Sequence, residues 1–206
     1  MLLAIDTSAG TSVAVVDRDG GVLAQRGTPD AMRHAEVIGE LITEALAAAG
    51  VAPGRLSGVA AGMGPGPYTG LRVGIAAART FALGIRRPFV PVPSHDAVAW
   101  AHLASGGAPA VQIVTDARRR EFAVSEYLGL DADGLPVRAA GPVLVPRDEV
   151  PAFDGVRLDA AEIPAGGVGM LAELAFAAGR LPLADDAAIY LREPDVTPSP
   201  GKRVTR

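Results

Sequence analysis

The chain has 206 residues, of which 49% are hydrophobic and 20% are charged, and its formal net charge is −4. This composition is typical of a folded protein with one domain or two small lobes, and the acidic balance argues against a chain that binds nucleic acid by itself. Cysteine is absent and the single lysine is Lys202, which excludes thiol catalysis, disulfides and lysine-dependent phosphate or Schiff-base sites from the body of the fold.

The N-terminal segment reaches Asp6 after a short apolar run and contains no basic residue, which is not typical of a signal peptide. Glycine, proline or arginine interrupts the weakly charged stretches well before the roughly 18 apolar residues that a membrane-spanning helix needs. We therefore expect a cytoplasmic protein with no membrane partner.

The first half of the sequence predicts an α/β lobe. Short apolar runs separated by turns predict three antiparallel strands at 2–5, 12–16 and 22–26. Helical spacing follows at 32–49, where Gly50 is a typical helix C-terminus. A strand at 58–63, a helix at 70–84 and a strand at 88–92 complete the lobe, with strands added through helical crossovers.

The second half predicts a smaller lobe that begins after the linker-like stretch 105–109. We expect strands at 110–115 and 121–127 joined by a turn at 117–120, then a proline-rich and loop-rich region, a helix at 167–180 and a last strand at 187–191. The predicted division is an N-terminal lobe at 1–104, a C-terminal lobe at 105–193 and a flexible tail at 194–206.

A weak internal repeat relates the two halves. The runs 2–6 and 112–116 each form a predicted strand that ends in an aspartate, Asp6 or Asp116, and is followed by a turn and a further strand. Either a duplicated lobe or chance explains such a match, since many hairpins carry an aspartate in the turn.

A glycine and proline loop precedes the second predicted helix. Gly64-Pro65-Gly66-Pro67 forms a stiff connection, Thr69 is placed to cap the helix, and exposed amides with Arg72 could hold an anion there. The alternative is that the loop only shapes a tight strand-to-helix connection.

Four motifs together resemble the TsaB (YeaZ) family. They are Ala4-Ile5-Asp6-Thr7-Ser8, Arg33-His34-Ala35-Glu36, the segment from Gly62 through Gly64-Pro65-Gly66-Pro67-Tyr68-Thr69-Gly70-Leu71-Arg72-Val73 to Gly74, and Thr115-Asp116-Ala117-Arg118-Arg119-Arg120-Glu121. Ala35 stands where the family has serine, and Pro67-Tyr68 where it has Ser-Phe. The resemblance covers about the first 126 residues, and the C-terminal third only by length and its Tyr190-Leu191-Arg192 ending.

The resemblance implies a two-lobed fold of the actin, sugar-kinase and Hsp70 (ASKHA) type, with a reduced second lobe. It also implies a non-catalytic dimerisation subunit in the synthesis of N6-threonylcarbamoyladenosine (t6A) at position 37 of tRNA. TsaD would be the catalytic partner and the ATPase TsaE a third component. The chain would form a homodimer when alone and would meet tRNA only within the complex.

The residues present offer little independent catalysis. The resemblance implies that the metal-binding histidine pair of TsaD corresponds to Ser94 and Val98 in this chain, and neither side chain can replace imidazole. His95 and His102 are seven positions apart, too far for one metal on a helix, so we expect structural histidines, no metal site and no catalytic residue.

Two other functions stay open at this stage. A stand-alone sugar-kinase-like ATPase would use the first loop, but Arg118-Arg119-Arg120 replaces the small residues that phosphates need in the second loop. A glycoprotease would need a metal or a nucleophile and base, and the adjacency of Ser94-His95-Asp96 cannot by itself create a triad.

Ligand contacts are therefore expected only at a shared interface. ATP or ADP would bind between this chain, TsaD and TsaE and not to the chain alone. The candidate contacts are Asp6, Thr7, Ser8, Gly64, Gly66, Tyr68, Thr69, Arg118 and Arg119. The three arginines of 118–120 could instead form a solvated turn or meet an acidic partner.

The two predicted helices supply the candidate partner interface. Small residues on one side of the second helix would let another helix approach closely, and the first helix has a wide apolar stripe. The candidate interface residues are Val37, Leu41, Gly70, Arg72, Val73, Gly74, Ala77 and Ala78. Packing of the small residues inside the subunit is the alternative.

Overall fold

The computed structural model describes residues 1–30 and 32–192. The first lobe contains a five-stranded sheet of order β3-β2-β1-β4-β5. Its strands are β1 (Leu2–Asp6), β2 (Thr11–Asp17), β3 (Gly21–Thr28), β4 (Gly58–Gly62) and β5 (Phe89–Val92). The first three are antiparallel, whereas β4 and β5 extend the sheet in parallel with β1, as the strand and helix order predicts.

Helices cover both faces of this sheet. One face is covered by α1 (His34–Ala49) and α2 (Tyr68–Ile85), which bury an apolar cluster that includes Ile42, Leu71 and Ile75. The other face is covered by α4 (Ala165–Ala177), whose Gly169 lies directly against Val16 and Ala4.

The second lobe contains a four-stranded sheet of order β8-β7-β6-β9. Its strands are β6 (Ala110–Asp116), β7 (Glu121–Leu130), β8 (Pro136–Pro146) and β9 (Val156–Asp159). The helix α3 (Ser94–Ala104) connects the lobes and packs on this sheet through Ala99 and Leu103.

The second sheet repeats the topology of the first. Strands β6, β7 and β8 form an antiparallel meander, and β9 then pairs with β6 in parallel, as β4 pairs with β1. Asp6 and Asp116 occupy the same place, at the end of the first strand of each meander. The internal repeat is therefore structural, and the fold is the duplicated α/β arrangement that the resemblance implies, with a smaller second lobe.

The division into contiguous lobes at 1–104 and 105–193 needs correction. The helix α4 follows the second sheet in sequence, yet it packs on β1 and β2 of the first. The segment 186–192 also returns to the first lobe, where Asp186 pairs with Arg79 of α2 at 2.6 Å and the Ile189 amide donates to the Met63 carbonyl. The chain thus crosses between the lobes more than once, and the predicted tail at 194–206, with residue 193, lies outside the described residues.

Two element predictions in the C-terminal half are wrong. The proline-rich region holds the strands β8 and β9, and not only loops. Conversely, residues 187–191 form no strand in the described part of the chain. They run beside α2, held by side-chain contacts and by the hydrogen bond of Ile189.

The helix ends show one further difference. Gly50 closes α1 in the left-handed conformation with φ of 65°, as its position predicts. Thr69 does not cap α2, because this helix begins at Tyr68, after Pro67. Across residues 1–30 and 32–192, no helix combines the length and apolarity required to span a membrane.

Candidate functional site

Asp6 is the centre of a buried polar cluster where the two lobes meet. Its Oδ1 accepts a 2.8 Å hydrogen bond from the Ser8 amide and a second from the Ser8 hydroxyl, while its Oδ2 accepts a 2.6 Å bond from the Ser94 hydroxyl. The Ser94 oxygen in turn accepts the Gly64 amide at 3.0 Å. The β1–β2 turn, the glycine and proline loop and the start of α3 are thereby joined through one carboxylate.

Burial dominates the electrostatics of Asp6. The residue is only 1% exposed, and burial raises its pKa from 3.8 to about 6, although the hydrogen bonds from Ser8 and Ser94 act in the opposite direction. Both carboxylate oxygens are already engaged by side chains of the subunit, so the described conformation leaves neither directed to a ligand.

The glycine and proline loop lies on the β1–β2 turn. A Cβ at Gly66 would come within 2.7 Å of the Ser8 Cα, and one at Gly62 would overlap the Asp6 carboxylate. Only residues without a side chain permit this contact. The loop therefore shapes a tight internal connection, and it covers the β1–β2 turn, which the sequence suggests as the first phosphate loop of a possible ATPase.

Thr7 has a structural role against α2. Its hydroxyl donates a 2.7 Å hydrogen bond to the Gly70 carbonyl, and a Cβ at Gly74 would overlap that hydroxyl. Gly70, Gly74 and Ala78 are buried in the subunit. The expectation that these three form the partner interface is corrected, because they face the sheet of their own lobe.

The remaining candidate interface residues lie at the surface of the two helices. Val37 and Leu41 of α1 and Val73 and Ala77 of α2 are half-buried, and Arg72 is exposed. Leu41, Val73 and Ala77 pack against the core with one side. We call the half-buried side chains of Val37, Leu41, Val73 and Ala77 the helix surface patch.

A cleft of about 240 Å³ separates the lobes beside the Asp6 cluster. Gly66, Tyr68, Arg118 and Arg119 line it, so the structure brings together four of the proposed ligand contacts. The other five candidates do not line it. They are Asp6, Thr7, Ser8, Gly64 and Thr69; the first four are buried behind the cleft and Thr69 is exposed on α2.

The arginine turn has an unusual backbone. Arg118, Arg119 and Arg120 all have positive φ, between 52° and 66°, a conformation that is costly for residues with a side chain. Asp116 holds the turn by accepting the Arg118 amide at 2.8 Å and pairing with Arg147 at 2.8 Å. Partial burial acts to raise the pKa of Asp116, but these two partners outweigh it and lower the pKa.

The C-terminal segment supplies a wall of the cleft that the sequence did not predict. The Tyr190 ring lies 4.8 Å from the Tyr68 ring, and the Arg72 guanidinium covers Tyr68 at 3.9 Å. Arg192 pairs with Glu121 and donates to the Ala117 carbonyl at 3.2 Å. The Tyr190-Leu191-Arg192 ending was the available signal, but nothing in its spacing connects it to residue 68 or 121.

The consecutive residues Ser94, His95 and Asp96 point to three different partners. Ser94 donates to Asp6, whereas the His95 ring contacts the Ser125 hydroxyl at 2.8 Å through Nδ1 and the Thr115 hydroxyl at 2.9 Å through Nε2. Burial, helped by the charge of Arg138, lowers the pKa of His95 to about 3. His95 is thus a hydrogen-bonded structural histidine, as predicted, and it forms no triad with its neighbours.

Asp96 belongs to a second buried group. Its carboxylate accepts the Tyr127 hydroxyl at 2.6 Å and the Arg138 Nε at 3.0 Å. Burial raises the pKa of Asp96 and that of the Tyr127 phenol. This group fastens α3 to β7 and β8 and completes the polar connection between the lobes.

The remaining histidines also have structural partners. His34 at the start of α1 shares a 2.7 Å hydrogen bond with the Thr11 hydroxyl, and His102 lies 3.2 Å from the Ala108 carbonyl. Val98, the second position compared with a metal ligand, packs among apolar side chains. Within 1–30 and 32–192, three or more metal-binding side chains nowhere come together.

Comparisons with known proteins agree with this geometry. Residues 9–140 match the family described as TsaD, tRNA N6-adenosine threonylcarbamoyltransferase. The uncharacterized protein Rv3421c of Mycobacterium tuberculosis is 34% identical over 145 residues, which cover 69% of this chain and 66% of that protein. ML0378 of Mycobacterium leprae, also uncharacterized, is 35% identical over 221 residues, with coverage of 96% and 56%. The chain thus covers less than two thirds of these relatives.

Two solved structures from Pseudomonas aeruginosa have the same fold over nearly their whole length. One, an uncharacterized protein with similarity to peptidase YEAZ, has a TM-score of 0.77 and 27% identity over 93% of this chain and 99% of its own. The other, YeaZ, has a TM-score of 0.76 and 26% identity over 92% and 99%. The chain therefore belongs to the TsaD family, and its fold is that of the YeaZ (TsaB) structures.

Proposed function

We propose that the chain is a non-catalytic subunit that binds TsaD and supports its transfer of threonylcarbamoyl from threonylcarbamoyl-AMP to A37 of tRNAs that read ANN codons. The observation that carries this proposal is the helix surface patch, an apolar band on two adjacent helices of a YeaZ-type fold. TsaE would join as a third component, and tRNA would be held by the complex.

The helix surface patch is suited to helix-to-helix pairing. Val73 and Ala77 are one turn apart on α2, and the exposed Ala76 between them offers little steric barrier to a second helix. Because a stable interface buries about 800 Å² on each partner, both helices would be needed. The same surface would form a homodimer when TsaD is absent.

The polar groups at the lobe junction support a structural role and not a catalytic one. Both oxygens of Asp6 are bonded to Ser8 and Ser94, and the imidazole of His95 is enclosed by two hydroxyls. Ser94 and Val98 stand at the positions compared with the metal-binding histidines of TsaD. The Ser94 hydroxyl donates to Asp6, and Val98 packs among apolar side chains. In the proposed complex, TsaD carries the metal and the reacting groups.

We further propose that the chain has no intrinsic cofactor. ATP or ADP would contact it only where TsaD and TsaE complete a shared site. The cleft side of this chain would contribute Tyr68 and the arginine turn, since an aromatic ring and guanidinium groups suit a base and phosphates.

Reconstitution tests the proposal directly. The chain is combined with its cognate TsaD, TsaE, threonylcarbamoyl-AMP synthase and an ANN-decoding tRNA, and t6A is measured by mass spectrometry of nucleosides. Omission of the chain should reduce t6A formation at least tenfold. Undiminished t6A without the chain, or ATP turnover by the purified chain alone, would contradict the proposed role.

Substitutions in the helix surface patch and at the adjacent exposed Ala76 locate the interface. Val73→Glu with Ala76→Glu should abolish co-elution with TsaD in size-exclusion chromatography, because two carboxylates would be buried without partners. Val143→Glu, on an exposed position of the second lobe, is the matched control and should co-elute normally. Retained pairing in the double variant, with a normal thermal unfolding curve, would move the interface elsewhere.

A further inference from the structure

An apolar groove lies at the opposite end of the first sheet from Asp6. Its volume is about 280 Å³, and it is formed where β1, β4 and β5 begin and where α4 ends. The residues that form its apolar walls include Leu2, Pro88, Val90, Phe176, Leu181 and Pro182. It shares no lining residue with the interlobe cleft, so it is a separate feature of the molecule.

In the groove, an exposed aromatic side chain lies beside buried apolar side chains that form the floor. Phe176 of α4 is 72% exposed, whereas Leu2 and Val90 are 7% exposed. The single carboxylate in the lining, Glu173, is mostly buried and lies 3.1 Å from the Met1 amino group, which balances its charge. An exposed aromatic ring at the mouth of an apolar groove is typical of an interaction site.

Three exposed arginines belong to the chain segments that form one side of the groove. Arg55 precedes the lining residues Ser57 and Gly58 by two and three positions, and Arg86 and Arg87 directly precede Pro88. The two segments are adjacent, since the Val59 amide donates to the Pro88 carbonyl at 3.0 Å. All three arginines are exposed, and none forms an ion pair with a carboxylate in the described chain.

We propose that this groove binds an acidic peptide segment of a partner protein. One large apolar side chain of the segment would enter the groove against Phe176, and its carboxylates would face Arg55, Arg86 and Arg87. The chain as a whole carries a net charge of −4, whereas these three side chains form a local positive group that has no carboxylate partner among the described residues.

Other occupants fit this edge less well. At about 280 Å³, the groove is slightly smaller than the roughly 300–1,000 Å³ that small-molecule sites occupy, and its lining offers few polar groups to orient a cofactor. The C-terminal segment 193–206 carries three basic and two acidic side chains, so it has no acidic excess for the arginines to attract. An acidic segment with one large apolar side chain complements both the apolar floor of the groove and the neighbouring arginines.

The proposed site is independent of pairing with TsaD. The helix surface patch belongs to α1 and α2, whereas the groove is built from α4 and the strand ends on the other face of the same sheet. One chain could therefore bind TsaD and the acidic segment at the same time, and loss of one interaction should leave the other intact.

Selection from a peptide library tests the site. Random 12-residue peptides displayed on phage are selected on the full chain, with depletion on a Phe176→Asp, Arg86→Glu, Arg87→Glu variant. We expect the selected peptides to combine aspartate or glutamate with phenylalanine, leucine or tryptophan. In fluorescence anisotropy, the strongest peptide should bind the variant at least tenfold more weakly and should weaken as salt rises.

A matched variant and two further measurements separate the outcomes. Arg18→Glu with Leu128→Asp makes a similar exchange at exposed positions outside the groove and should bind the peptide normally. Selected peptides without acidic residues, or equal binding to both variants, would overturn the proposal. Binding of the chain to phosphatidylglycerol vesicles, without selection of any acidic peptide, would also overturn the proposal. Co-elution of the groove variant with TsaD should be unchanged, so this test is distinct from that of the proposed function.

Discussion

The Ser94 hydroxyl donates a 2.6 Å hydrogen bond to Oδ2 of Asp6, although the two residues are 88 positions apart in the chain. The bond joins the β1–β2 turn of the first lobe to the first residue of α3, the helix that packs on the second lobe. Because the Gly64 amide donates to the same hydroxyl, this oxygen connects three segments. It is one of the polar connections at the junction of the lobes.

Replacement of Ser94 by alanine should therefore destabilise the whole protein. The change leaves one oxygen of the buried Asp6 and the Gly64 amide each without this partner, a loss that costs about 1–3 kcal/mol in comparable cases. Urea unfolding followed by circular dichroism measures it. Ser105→Ala, which removes an exposed hydroxyl bonded to the His102 carbonyl, is the control and should change the free energy of unfolding by less than about 0.5 kcal/mol.

Two glycines on α2 should respond in opposite directions to alanine. At Gly74 the new methyl group would overlap the Thr7 hydroxyl, and overpacking of this kind costs about 1–3 kcal/mol. At Gly84 nothing lies within 4 Å, so alanine should stabilise the helix by about 0.5 kcal/mol. Thermal unfolding of both variants checks the pair; equal effects would show that Gly74 does not pack against Thr7 as described.

The strand and helix order of the first lobe could be predicted from the sequence because its signals are local. Apolar runs, helical spacing and Gly50 each specify structure within a few residues. The second lobe was harder, since Pro136, Pro142 and Pro146 suggested loops. In the structure Pro136 and Pro146 are the end residues of β8, an edge strand with an irregular register, and edge positions tolerate proline because no ladder hydrogen bond is lost.

The direction in which side chains face could not be predicted from spacing alone. Gly70, Gly74 and Ala78 form a row of small residues on α2, which suits either a partner helix or the interior of the subunit. Whether this row faces a partner or the interior depends on Thr7, which lies 63 positions from Gly70. The Thr7 hydroxyl donates a hydrogen bond to the Gly70 carbonyl. Tyr190 and Tyr68 are even farther apart in sequence, so their contact could not be predicted from local spacing either.

The raised pKa of Asp6 predicts a pH effect on stability. In the folded state the pKa is about 6, against 3.8 for the ordinary carboxyl group, so the folded protein binds more protons than the unfolded chain between these values. This group therefore stabilises the fold as pH falls from about 6 to 4, by up to about 3 kcal/mol.

Asp6→Asn should remove this contribution, because the amide does not titrate. The difference in the free energy of unfolding between the wild type and Asp6→Asn is expected to increase in favour of the wild type as the pH is lowered from 6 to 4. Chemical unfolding at intervals of half a pH unit measures the difference. A difference that is constant with pH would show that Asp6 is ionised in the folded protein throughout this range.

Titration of His95 should change the free energy of unfolding in the opposite direction to that of Asp6. Its folded-state pKa of about 3 lies below the ordinary 6.5, so the unfolded chain binds more protons, and the stability that the neutral ring supplies above pH 6.5 is lost as pH falls towards 3. Between about pH 4 and 6 this loss and the gain from Asp6 should largely cancel in the wild type.

His95→Gln is the variant that exposes this balance. Glutamine can still reach hydroxyls such as those of Ser125 and Thr115 but cannot be protonated, so acidification from pH 6.5 to 4 should destabilise this variant less than the wild type. Asp6→Asn should show the reverse and become more acid-sensitive. Unfolding curves of both variants across this range, compared with the wild type, test the opposition directly. If the two variants shift in the same direction, the ring of His95 is not held neutral by its burial between the lobes.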